Sequence, residues 1–139
     1  MRLLTPSGEV SSCMSKGTRR EREWHAILKA AGHIPYRPAT VQYGENDVFG
    51  LYDVLSMRPF GHLLRGWQVK SNGARGIETW ARNVQPLEKA LPSFYAVPYD
   101  NEGWRVDVVR GGSHTTLCDE REMNCRMGEG VTEWLRSEL

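Results

Sequence analysis

Cysteine is scarce in this 139-residue chain, and Cys13, Cys118 and Cys125 are odd in number and scattered. That pattern fits a reducing compartment better than a disulfide framework. It also argues against zinc, because His114, Cys118 and Cys125 lack both a CxxC pair and a fourth ligand. No apolar run is long enough to span a bilayer. Met1-Arg2-Leu3-Leu4 runs into Thr5-Pro6-Ser7-Gly8 and not into an apolar core, so no secretory leader is expected. Internal repeats are absent, and so is any large excess of one charge, the net value being +1.

What is present is an ordinary globular composition, 40% hydrophobic and 25% charged. A chain of this length buries about two-thirds of its unfolded surface in one core. The sequence predicts a flexible arm over residues 1–14 and a single domain over 15–139. The charge is unevenly spread. Residues 1–40 hold seven Lys/Arg against three Asp/Glu, 41–60 hold one against three, 61–92 hold five against two, and 93–139 hold five against nine. Two basic segments therefore flank a short acidic one, an arrangement that attracts a phosphate backbone around carboxylates suited to metal ions. A solvated mixed surface is the plainer alternative.

Trp24, Ile27, Leu28 and Ala31 fall on one face of a helix expected from Ser15 to Ala31, with Gly32 as its stop. Ile34 to Thr40, broken by Pro35 and Pro38, suits an edge strand or loop. Val48 to Met57 and Leu63 to Ser71 read as the two strands of a hairpin across Arg58-Pro59-Phe60-Gly61-His62. A second helix is expected from Ile77 to Leu91, kinked or split by Pro86. Phe94 to Tyr99 and Trp104 to Arg110 form another strand pair, residues 111–130 read as irregular, and Val131 to Leu139 as a terminal helix. This order predicts an α/β sandwich with a mixed central sheet flanked by helices.

The chemistry-bearing stretch is Trp67-Gln68-Val69-Lys70. Strand alternation places Gln68 and Lys70 on one face while Val69 enters the core. Asp53, inside an apolar run, is the strongest candidate metal ligand, because a lone buried carboxylate is costly without a partner. Its alternative is a strand-end aspartate bonded to nearby backbone. Lys70 is suited to orienting an attacking water or to offsetting phosphate charge; alternatively it is a lysine reaching out from a strand end. Gln68 either coordinates metal through its amide oxygen or bonds a metal-bound water, leaving the Val69 carbonyl as the ligand. Glu21, in Arg19-Arg20-Glu21-Arg22-Glu23, reads alone as a surface glutamate paired with arginines; its site role depends on the helix packing beside the two strands. Lys16, Arg19, Arg20, Arg22, Arg37 and Arg75 are candidate phosphate contacts, and Ser71-Asn72-Gly73 offers backbone amides. Trp80 is expected in the core.

Lys16-Gly17, Glu21-Arg22-Glu23, Asp53 and Gln68-Val69-Lys70 together resemble the PD-(D/E)xK nuclease superfamily, most closely its archaeal-type and viral Holliday junction resolvases. The resemblance covers roughly residues 15–95. It implies a restriction-endonuclease-like core in αβββαβ order, with Glu21, Asp53 and Gln68 binding metal and Lys70 as the catalytic lysine. It further implies a Mg²⁺-dependent homodimer (Mn²⁺ able to substitute) that cuts branched DNA at four-way junctions, in a prokaryotic or host cytoplasm. The chain departs from the pattern twice. Gln68 stands where Asp or Glu is usual, which lowers the site's charge by one. The Pro-Asp pair is missing, so Asn46-Asp47 competes with Tyr52-Asp53 for that place. Asp53 is preferred because its separation from Gln68 suits a hairpin, and Asp47 is left either to position a loop or to bind a second metal. A different repair or restriction-type nuclease, or a binding module that has lost hydrolysis, are the alternatives.

Overall fold

Helix α1 (Lys16–Ala30) exists because its apolar residues recur on one face, with Trp24 and Leu28 completely buried. It ends where Gly32 takes φ +87°. There the His33 N–H donates to Leu28 O and the Gly32 N–H to Lys29 O, both at 3.0 Å, a Schellman stop. The computed structural model describes residues 16–38, 47–61, 63–70, 76–100, 102–123 and 128–139. The expected arm lies outside those residues.

Strands β1 (Ile34–Tyr36), β2 (Val54–Met57), β3 (Arg65–Val69), β4 (Ser93–Tyr99), β5 (Gly103–Arg110) and β6 (Ser113–Asp119) form one six-stranded sheet in sequence order. Every neighbouring pair is antiparallel except β3–β4, whose parallel pairing requires the crossover helix α2 (Ile77–Val84). Helix α3 (Glu129–Glu138) closes the chain. This is the mixed α/β sheet flanked by helices that the sequence predicts, in the expected element order, with one added strand, β6, before the expected terminal helix.

Side chains alternate across the sheet into two apolar layers. Trp67, Val69, Phe94, Ala96, Val106 and Val108 pack with Trp24 and Leu28 of α1 and Val131 and Leu135 of α3. Tyr52, Tyr95, Val97 and Val109 pack with Ile77, Trp80, Ala81 and Val84 of α2. In the first layer the Trp24 ring lies 5.0 Å from Trp67 and 4.9 Å from Trp104 between centroids, and Trp67 stacks 4.9 Å from Phe94. Glu120 is a structural carboxylate: Oε1 accepts from the N–H groups of Trp104 and Gly128, and Oε2 from that of Val131 at 2.8 Å, which ties the start of α3 to β5.

Three expected boundaries are corrected. The strand expected over Val48 to Met57 is regular only over Val54–Met57, because Val48 and Tyr52 pair with each other and close a tight loop. The helix expected over 77–91 stops at Val84: Pro86 lacks the N–H the helix needs, and the chain continues in turns to Leu91. The stretch 111–130, expected to be irregular, contains the edge strand β6. Its exposed polar residues mask the alternation, but Gly111-Gly112, with φ +58° and +81°, makes the two-residue hairpin between Arg110 and Ser113. No helix among the described residues is long and apolar enough to cross a membrane.

Candidate active site

Asp53 stands at the bend that opens β2, opposite the end of β3. Its backbone N–H donates to Trp67 O at 2.8 Å, and its Oδ2 accepts from the Val69 N–H at 2.9 Å. The side chain is thus held by the backbone of the motif stretch itself and is only 7% exposed. Burial raises its carboxyl to about 8; the Val69 N–H opposes that rise, while Glu21 and Asp47 add to it through their charge, and Asp47 also through a hydrogen bond. The sequence alternative, an aspartate bonded to nearby backbone, is accurate as far as it goes. It omits the other two carboxylates.

Glu21 reaches this place because α1 packs on the sheet face that carries Val54, Trp67 and Val69. Its partner is Arg37, just past β1, at 3.3 Å, rather than a helix arginine. Burial raises the Glu21 carboxyl, Arg37 opposes the rise, and the charge of Asp47 adds to it. The Arg37 Nε is itself buried and has no hydrogen-bond partner among the described residues. Asp47 joins from the base of the Val48–Tyr52 loop, so the tight turn brings both competing aspartates to one end of β2. The sequence posed them as rivals; the loop makes them neighbours.

Val69 enters the first apolar layer, as strand alternation predicts. Gln68 therefore faces the other side, in register with Tyr95. Burial above all pushes the Tyr95 hydroxyl up to about 12, and the charge of Asp53 adds to the rise. Lys70 follows directly after β3, its N–H donating to Ala96 O at 3.0 Å. Both Gln68 and Lys70 are half-buried, and neither side chain has a polar partner among the described residues. The structure thus gathers Glu21, Asp47 and Asp53, and sets Gln68 and Lys70 at the same strand end on the opposite face from α1. Tyr95 was not foreseen; its only sequence signal is its place in an alternating strand.

Among the candidate phosphate contacts, Arg19 and Arg22 are exposed on α1, and Arg20 is engaged by Glu23 at 2.9 Å and Asp100 at 3.1 Å. The Lys16 side chain, Arg75 and Ser71-Asn72-Gly73 lie outside the described residues. Trp80 is in the core, its indole N–H donating to Leu51 O at 2.7 Å. Of the three residues weighed for zinc, Cys118 is buried in the first layer, His114 bonds Asp107 at 3.0 Å, and Cys125 lies outside the described residues.

No family model matches the chain, and no curated protein matches it either. Among solved structures, the Holliday junction resolvase Hjc of Archaeoglobus fulgidus is similar, with a TM-score of 0.44 and 18% identity over 76% of this chain and 90% of that one.

The donor set suits a hard cation. The negative charge of Glu21 and Asp47 on Asp53 would be relieved by a divalent ion, and oxygen ligands select Mg²⁺ or Mn²⁺ over softer ions. Among the described residues no group of three His, Cys, Asp or Glu side chains is placed to hold a metal ion by itself. An open site of one or two carboxylates, completed by water and substrate phosphate, is the usual Mg²⁺ arrangement.

Proposed function

We propose that this chain is a metal-dependent endonuclease of the PD-(D/E)xK type that hydrolyses phosphodiester bonds in branched DNA, with the four-way junction as its substrate. One observation carries the reading: a buried aspartate, held by the Val69 N–H within Gln68-Val69-Lys70, also feels the charge of two further carboxylates, Glu21 and Asp47. Asp53 and Glu21 would hold Mg²⁺ or Mn²⁺, with Asp47, the Gln68 amide oxygen or the Val69 carbonyl completing the protein's share. Bound there, the ion supplies an activated water and offsets charge at the phosphate.

The chain's own groups do the rest. Lys70 places an ammonium beside the scissile phosphate. The Arg37 Nε is buried with no partner among the described residues, and Arg37 would turn to a phosphate oxygen once a cation takes over Glu21. Arg19 and Arg22 extend the basic surface along α1 for the flanking backbone. Cutting both strands of a junction requires two such sites, so the working unit is a homodimer.

Incubation with Mg²⁺ and four-way junction, flap or linear duplex DNA tests this. Preferential cutting of the junction is expected, and comparable cutting of linear duplex would refute the resolvase assignment. Binding without any cutting, in Mg²⁺ or Mn²⁺, would favour the second reading, a nucleic-acid-binding module, for which the neutral Gln68 is the motivating feature. Light scattering giving a mass near that of one 15.8 kDa chain would count against the dimer.

A further inference from the structure

Two non-glycine residues among those described have positive φ, and both are exposed phenylalanines: Phe49 at +56° and Phe60 at +62°. A large side chain in the left-handed region is strained, and such strain persists where the surroundings enforce it. Phe60 is at the far end of the β2–β3 pair. Phe49 is two residues from Asp47 and four from Asp53.

The enforcement at Phe49 is visible. The Val48 carbonyl accepts from the Leu51 N–H at 3.0 Å and from the Tyr52 N–H at 3.1 Å, and the Val48 N–H donates to Tyr52 O at 2.9 Å. Phe49 and Gly50, with φ +56° and +67°, are the central residues of a turn that needs positive φ at both places. Asparagine and glycine are the residues such a turn prefers. Trp80 clamps the Leu51 carbonyl, and Val48 and Leu51 pack on the second apolar layer. A rigid loop therefore projects a phenyl ring, 71% exposed, from between two site carboxylates. With most of its surface in solvent, the ring contributes little burial to the fold.

We propose that Phe49 contacts substrate by stacking its ring on a nucleobase unstacked from its neighbour at the branch point next to the scissile phosphate. This rests on the nuclease reading and adds to it the feature that would distinguish branched from continuous DNA. A base freed from its neighbours at a junction has an open face, and aromatic side chains bind such faces without regard to sequence. Paired, stacked duplex offers no such face, so the contact favours the branch.

The test compares wild type with Phe49→Gly and Phe49→Trp. It measures Tm, and binding of a four-way junction carrying 2-aminopurine at the branch, with Ca²⁺ in place of Mg²⁺. Phe49→Gly should melt at a higher temperature than wild type, bind the junction about tenfold more weakly or worse, lose the 2-aminopurine response, and leave linear-duplex affinity unchanged. Phe49→Trp should retain junction affinity and the response. A lower Tm for Phe49→Gly would make the ring structural and overturn the proposal. So would junction affinity and 2-aminopurine response equal to wild type, or an equal loss on linear duplex. Wild type that binds the junction with the expected response but cuts no DNA would refute the nuclease reading while leaving the stacking contact standing.

Discussion

Replacing Asp53 with asparagine should make the protein more stable, and increasingly so as pH rises. The folded chain holds the Asp53 carboxyl near 8, whereas its ordinary value is 3.8. Between those values the unfolded chain has released a proton that the folded chain keeps, so stability falls with rising pH across that interval. At about 1.4 kcal/mol per tenfold change in proton affinity, the penalty is about 1 kcal/mol at pH 4.5 and approaches about 5 kcal/mol at pH 8.5. Asparagine carries no such charge; its amide oxygen can still accept from the Val69 N–H, and its NH₂ can donate to Asp47. The variant should therefore gain about 4 kcal/mol on wild type between pH 4.5 and 8.5, on the order of 12 °C in Tm for a chain of this size. Thermal melts in EDTA at the two pH values measure it. Mg²⁺ at pH 8.5 should recover part of the loss in wild type and none in the variant. An Asp53→Asn protein equally or more destabilised at pH 8.5 than at pH 4.5 would refute the reasoning, because the carboxylate would then be stabilising the fold.

Lys70→Ala should abolish junction cleavage while leaving junction affinity within a few-fold of wild type; a cleavage rate near wild type would remove the lysine from the site. Gly66→Ala should destabilise by about 2 kcal/mol or more, since the new methyl would collide with the Tyr52 ring, and denaturant unfolding with an unchanged midpoint would contradict the packing. Glu120→Ala orphans the N–H groups of Trp104, Gly128 and Val131 and should cost about 3 kcal/mol, read by circular dichroism melts; a loss under about 1 kcal/mol would show that water replaces the carboxylate there.

Short-range pattern carried the architecture. Helical spacing of Trp24, Ile27, Leu28 and Ala31, and the alternation that sends Val69 inward, depend on neighbours within one turn or one strand, and both appear as expected. Strand β6 was hidden because an edge strand with a solvated face need not alternate, although Gly111-Gly112 marked its hairpin. The site was partly legible. Asp53 was readable as a buried carboxylate in an apolar run, but Glu21 was indistinguishable from a surface glutamate until helix packing set it near Asp53. The partnership of Asp47 with Asp53 was not readable either, because it depends on the Val48–Tyr52 pairing, which converts an apparent strand into a closed loop. Arg37 lay among many arginines until the fold set it against Glu21.

Single-turnover cleavage of a four-way junction across a Mg²⁺ titration, comparing wild type with Asp53→Asn, tests the central claim most directly. The account predicts no cutting without divalent metal and a rate that saturates with Mg²⁺ in wild type. It also predicts a loss on the order of 10³-fold or more in the variant at every Mg²⁺ concentration. Cleavage by Asp53→Asn at the wild-type rate, or metal-independent cleavage by wild type, would contradict it.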